Sequence, residues 1–471
     1  MKLIKSKTAN INYLAKIVNI ESFHNHPNPE VNKLKCTYVD GYNIIVGIDS
    51  EPGKYVYFPT SSRINPQFLS FANLYRHGQL NSNPEQTGMF EDNGRVKAIK
   101  LKGCVSEGFL LPIETFKCWI ESSTGIEIDI NSFENNLEFD TVEHNKKTFW
   151  VCKKYIIPIH NNSSNSGFYN KRQKGLKRFN RVIDTQFRLH YDTVQIKKLD
   201  NPIKPNDLIH ISSKIHGTSG ISANVLVKEP MNIFQRILYW ICNGVWTDYK
   251  VKYDYLYSSR TVIKNAEYNQ NLTSGYYNCD VWAEADKLIR PHLEKGMTAY
   301  YEIVGFLPSG AYIQKDYDYG CVPPKEGEPY TAEKHFKVRI YRLTLTNVDG
   351  HVHEFSPREV QIWCETHCLT PVTELYYDYA RELYPELYQI VDGNKLYPEN
   401  WYQQFLEKLT NDSRFYMEQR SPDCNNNVPH EGIVIKIDNM KSEAMKLKCF
   451  AFLNKEQKEL DTGISNIEDN N

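Results

Sequence analysis

The chain of 471 residues has no long apolar run, no excess of charge and no regular cysteine spacing. Its most apolar window, residues 233–246, is about 14 residues long against the ~20 a membrane span needs, and it contains Gln235 and Arg236. That excludes a spanning helix there and leaves an amphipathic surface or packing helix. The start, Met1-Lys2-Leu3-Ile4-Lys5, lacks the apolar centre of a signal peptide, so the expected location is cytoplasmic. With 56 basic and 57 acidic residues the net charge is -1, and no chain-wide basic field advertises nucleic acid. A nucleic-acid surface must then be a local patch. The 11 cysteines are odd in number and dispersed, which argues against a disulfide framework and for a reducing compartment. Cys364, His367 and Cys368, with His351 and His353 upstream, come nearest to a metal cluster, but the close Cys-x-x-Cys pairs of structural zinc are missing.

What is present is an ordinary globular composition, 41% hydrophobic and 24% charged, at a length suited to two or three domains. The 32 tyrosines supply aromatic faces that either pack or stack on bases. Residues 1–115 read as short strands at 11–20, 34–39, 44–48, 55–58 and 96–101, with turns at Asp40-Gly41 and Pro52-Gly53. One helical pattern lies around 68–75. Many short strands without a long helix predict an OB-like β-barrel. Residues 116–180 read as a connector, holding the polar stretch 161–167 and then a basic run. Lys171, Arg172, Lys174, Lys177, Arg178 and Arg181 are basic in eleven residues that also carry Phe179. The run is either a solvated charge cluster or an RNA phosphate contact. Residues 181–471 read as one α+β domain, helix-rich over 374–409, with an acidic tail that frays.

Five motifs follow one another in the large domain. The first is Lys214-Ile215-His216-Gly217, between two predicted strands. A lysine nucleophile must be neutral to attack, which desolvation or nearby positive charge favours. Lys446 and Lys448 supply such charge. Two residues apart on a strand, they point to one side while Leu447 points to the core. The same pair can hold a phosphate. Glu431 stands before the apolar run Gly432 to Ile435, and Glu302 interrupts the apolar stretch 299–304. A carboxylate in such a strand needs a partner, either a cation or the nucleophile itself. Arg260 can fork onto a phosphate, and Tyr341, in a strand pattern, can present its ring to a base or pack in the core.

These residues resemble the covalent nucleotidyltransferases, and within them the ATP-dependent RNA ligases of the RNA ligase 2-like type, over about residues 182–455. Lys214-Ile215-His216-Gly217 looks like family motif I, Tyr301-Glu302 like motif III, the strand around Tyr341 like motif IIIa, Glu431 to Val434 like motif IV and Lys446-Leu447-Lys448 like motif V. The resemblance implies an adenylyltransferase domain of ATP-grasp-like antiparallel sheets plus helices, preceded by the OB domain. It implies Lys214 as the adenylylated nucleophile. His216, Gly217, Arg260, Glu302, Tyr341, Lys446 and Lys448 would bind nucleotide, and Glu431 would bind both nucleotide and the metal. Cofactors would be ATP with Mg2+ or Mn2+, and the partners RNA ends, with no membrane or protein partner and a monomeric state. His216 favours an RNA ligase, since DNA ligases and capping enzymes usually carry Asp there. So do the 23 residues after Lys448, too few for the OB domain that those relatives place last. The alternatives are a DNA ligase or an mRNA capping guanylyltransferase, or a non-catalytic RNA-binding protein with a degenerate ligase domain. One departure is Tyr301, where the family more often has Gly before its Glu. The N-terminal strands hold none of the motifs and are expected to serve RNA engagement rather than adenylylation.

Overall fold

The computed structural model describes residues 1–156, 179–267, 279–439 and 443–462. The polar stretch and most of the basic run, Lys171, Arg172, Lys174, Lys177 and Arg178, lie outside them.

The N-terminal region is built of small antiparallel sheets. Strand Ala15–Ile20 lies between Gly53–Phe58 and Glu138–Phe139 in a four-stranded sheet that Phe109–Pro112 completes. The hairpin of Leu34–Val39 and Tyr42–Gly47 turns at Asp40 and Gly41, both at positive φ, as a two-residue hairpin loop requires. The helix expected near residue 68 is Pro66–Phe71, with proline at its first turn and the Asn65 side chain accepting from the Gln67 amide. Among the described residues no ring of hydrogen-bonded strands closes into a barrel. The sheets instead wrap an aromatic core of Phe58, Phe68, Phe116, Trp119 and Phe139. Strands at 138–154, inside the span expected as a connector, pair back onto Lys2–Ile4, Ala15–Ile20 and Ser62–Ile64.

The larger region holds two five-stranded sheets, so the mixed α+β layout stands. One, the Lys448 sheet, runs in the order Val194–Gln195, Glu443–Lys448, Gly432–Ile437, Leu208–Ser213, Glu374–Tyr379. The other, the Glu302 sheet, runs Tyr249–Ser259, Thr218–Pro230, Met297–Gly305, Phe336–Thr346, Val352–Glu354. Val194–Gln195 pairs in parallel with Glu443–Lys448. Ile209, Ile211, Ile433, Ile435 and Leu447 bury one face of the first sheet against Trp401, Phe405 and Leu409. Ala299, Tyr301, Ile303 and Val338 bury one face of the second against Trp282 and Ala285, on helix Val281–Ile289. Alternate residues of these strands are left to face elsewhere.

The 374–409 stretch is less helical than expected. Its aromatic-rich start, Glu374–Tyr379, pairs with Leu208–Ser213. A hairpin, Gln389–Val391 with Asn394–Leu396, separates the short helix Ala380–Leu383 from Trp401–Thr410. Leu383 and Leu387 are buried as helical spacing implied, but Ile390 is exposed on that hairpin. No helix among the described residues is long and apolar enough to cross a membrane.

Candidate active site

The chain crosses from one sheet to the other between Ser213 and Thr218, and backbone bonds pin the crossing on both sides. The Lys214 amide donates to the Gly432 carbonyl at 2.8 Å. The His216 amide donates to the Tyr319 hydroxyl at 2.7 Å, and the Gly217 amide to Glu302 Oε1 at 3.2 Å. Gln314 Nε2 donates to the Gly217 carbonyl at 2.6 Å. A Cβ on Gly217 would lie 2.4 Å from the Ile303 carbonyl oxygen, so glycine lets the two strands meet here. The nucleophile candidate therefore projects from a braced turn.

Lys214 Nζ lies 2.8 Å from Glu431 Oε1, and Lys448 Nζ lies 3.4 Å from the same oxygen. His216 Nδ1 is 3.8 Å from Glu431 Oε2. Glu431 is 4% exposed. Burial alone would push its carboxyl up, but Lys214, Lys448 and His216 outweigh burial and hold it below the usual range. Lys448 has a second carboxylate, Glu456 on the C-terminal helix Phe450–Asp461, at 3.4 Å. Lys446 is buried. Desolvation, then the charges of Lys448 and Lys214, draw its amine down to about 7. Glu302 is also buried and accepts from the Ser219 hydroxyl at 3.0 Å. Tyr301 turns to the opposite face, where its ring occupies the space that a side chain on Gly220 would need. A large residue before Glu302 is thus accommodated by a small one on the next strand.

Arg260 follows strand Tyr249–Ser259 and is ion-paired to Asp192. Burial would raise the Asp192 carboxyl, yet Arg260, Lys446 and Lys154 hold it below its usual range. Tyr341 is half-buried, its ring edge-on to His190 at 5.6 Å. Its carbonyl accepts from Lys436 Nζ at 2.9 Å.

Lys214, His216, Arg260, Glu302, Tyr341, Glu431, Lys446 and Lys448 all line one cavity of about 210 Å³. Gly217 does not line it, but its amide donates to Glu302, which does. Arg181, the described member of the basic run, is elsewhere, paired to Asp254 on strand Tyr249–Ser259. Sequence reasoning placed Lys436 outside the motif matches and missed Asp192 and the N-terminal residues Tyr13, Tyr42, Glu107 and Lys154, all of which line the same cavity. Lys436 was legible in principle, because Val434 and Lys436 alternate onto one face of their strand. Burial brings its amine to about 8. Asp192 and the N-terminal lining carry no comparable pattern.

Among the described residues no three His, Cys, Asp or Glu side chains could hold a metal, and Cys364 is buried while Cys368 is exposed. A divalent cation suits Glu431 instead. Its Oε2 is buried and makes no hydrogen bond, and Mg2+ is commonly held by one carboxylate together with phosphate oxygens and water.

No protein-family model matches the chain, and no curated protein matches it. Solved structures of an RNA ligase from Naegleria gruberi do. An apo mutant of that ligase gives a TM-score of 0.52 at 15% identity, covering 95% of this chain and 99% of that one. The form with PPi gives 0.50 at 16% identity, and a mutant with ATP and Mn gives 0.50 at 14%, each with the same coverage. At these identities the likeness is one of fold, and it runs nearly end to end.

Proposed function

We propose that the chain is an ATP-dependent RNA ligase that joins 3′-OH and 5′-phosphate ends, with a role in RNA repair. The observation that carries this reading is the convergence of the Lys214 amine, the Glu431 carboxylate and the Lys446 and Lys448 amines in one cavity between two sheets. Similarity in fold to a ligase whose structures are named with ATP, AMP and Mn supports ATP and a divalent cation as cofactors.

In this reading the deprotonated Lys214 Nζ attacks the α-phosphorus of ATP. An N–P bond forms, the α–β anhydride bond breaks and pyrophosphate leaves. Lys446 and Lys448 hold the α-phosphate and stabilise the charge that moves across it. Glu431, whose buried Oε2 makes no hydrogen bond, would hold a Mg2+ or Mn2+ ion, which would supply further neutralisation of the triphosphate. Glu302, braced by Ser219, meets the ribose, Tyr341 faces the base, and Arg260 contacts the nucleotide or the RNA end. The RNA 5′-phosphate then attacks the lysyl-AMP phosphorus and releases Lys214. Finally the 3′-OH attacks the adenylylated 5′-phosphate, closing the phosphodiester and expelling AMP. The N-terminal region would engage RNA, and Tyr13, Tyr42 and Lys154 on the cavity wall would also let it touch the nucleotide.

The test is sealing of a 3′-OH/5′-phosphate nick in duplex RNA with ATP and Mg2+ or Mn2+, run beside the same nick in DNA. The reading expects RNA sealing and AMP release. Sealing of DNA in preference, or guanylyl transfer from GTP, would move the assignment to a DNA ligase or capping enzyme.

A further inference from the structure

Strands Thr218–Pro230 and Tyr249–Ser259 form a long hairpin that starts at the active-site turn and ends in the helix Ile233–Asn243. Over 13 residues the first strand carries its far end about 40 Å from Gly217. The tip helix is capped locally at both ends, by the reciprocal Asn232–Gln235 bonds and by left-handed Gly244. Its orientation is inverted for a water-facing helix. Arg236 and Tyr239 are half-buried toward the hairpin, with Arg236 Nε donating to the Met231 carbonyl. Phe234 is 79% exposed, Ile241 67% and Leu238 63%. Trp240, Val245 and Trp246 stand exposed beside them. At 3.6 residues per turn, the apolar side chains from Trp240 through Ile237 to Leu238 span an arc of about 160°. Soluble monomers rarely expose apolar patches of this extent.

We infer that this tip helix lies in the surface of an anionic phospholipid bilayer and holds the enzyme there. Three features select that occupant. A wide arc suits a planar apolar medium, whereas a partner helix covers only a narrow seam. The helix is 11 residues, about 16 Å long, and pairing it with a second copy would bury too little for a stable dimer. Charge agrees as well. No acidic side chain lies between Asn232 and Thr247, and around the tip Lys228, Arg236, Lys250 and Lys252 outnumber Asp248, Asp254 and Glu229, the last paired with both Lys250 and Lys252. Trp240 at the edge of the arc and Trp246 just beyond the helix are suited to the headgroup level. Such a helix lies on the membrane without crossing it.

The test is flotation of the full chain with vesicles of phosphatidylcholine alone, or of phosphatidylcholine with about 30% phosphatidylserine. Wild type floats with the anionic vesicles, at least ~10-fold above the neutral ones. The double variant Phe234→Asp, Ile241→Asp loses at least ~10-fold of that binding and keeps the wild-type melting temperature, because both positions are exposed. Absence of wild-type flotation, equal binding to neutral vesicles, or undiminished binding by the variant overturns the inference. So does a wild-type dimer in sedimentation that the variant converts to monomer, since the occupant is then a second copy.

Discussion

At the scale of single residues, the site brings the amines of Lys214, Lys446 and Lys448 close together, and this has a thermodynamic consequence. The amine of Lys446 sits near 7 in the folded protein, against about 10.4 for a free lysine. The folded state therefore binds the proton less well than the unfolded one. The resulting penalty is full below the folded value and vanishes as pH rises toward the unfolded value. Lys446→Met should raise stability at pH 7 by roughly 2 kcal/mol while removing adenylylation, and the gain should shrink as pH approaches 10. Denaturant unfolding across pH measures it, and a variant less stable than wild type at pH 7 contradicts it. Glu431→Ala should act in the opposite direction. It leaves Lys214 and Lys448 facing each other without their shared carboxylate, so both stability and covalent labelling fall, the latter by at least ~100-fold. Labelling at near wild-type rate in a folded Glu431→Ala protein contradicts this role. Sequence reasoning sets Lys436 aside, on the strand after Glu431 but outside the motif matches, yet it lines the cavity with Val434.

At the scale of elements, the turn that carries Lys214 depends on a glycine. Gly217→Ala would press a methyl group onto the Ile303 carbonyl and the Glu302 side chain. It should cost about 1–3 kcal/mol and lower adenylylation by shifting Glu302, readable as a raised KM for ATP. Unchanged melting and kinetics would mean that the strands can separate freely. The sequence order of the motifs was readable because each sits at the end or on one face of a strand, where period two exposes it. Lys446 and Lys448 alternate with buried Leu447, and Glu431 precedes a buried run. The stretch 374–409 misled because Leu383 and Leu387 satisfy helical spacing while the aromatic Glu374–Tyr379 pairs as an edge strand. Only long-range pairing decides that. The tip helix was legible as a helix, but which way it faces is set by the hairpin beneath it.

At the scale of the whole molecule, the N-terminal region is tied to the larger one through buried charge. Arg95 is fully buried and donates to the Gln457 carbonyl and to Asp461 on the C-terminal helix, which Lys97 also meets. Lys197 pairs with Glu107 at 3.0 Å, and Asn12 Nδ2 donates to the Thr193 carbonyl. Such cross-links between residues 90 to 366 apart leave no local pattern, so a barrel separate from the catalysis was the natural reading of the sequence. The shared cavity wall blurs that division. Arg95→Met should loosen the C-terminal helix that presents Glu456 to Lys448. It should lower the melting temperature by several degrees and weaken ATP use as well as RNA sealing. A variant that loses RNA sealing alone would restore the stricter division between the two regions.

The most direct test is incubation of the full chain with α-labelled ATP and a divalent cation, followed by a denaturing gel. The account predicts a covalent AMP adduct formed from ATP and not GTP, labile to acid as a phosphoramidate is, and absent from Lys214→Ala. An unlabelled wild-type protein, or a label that persists in Lys214→Ala, would contradict it.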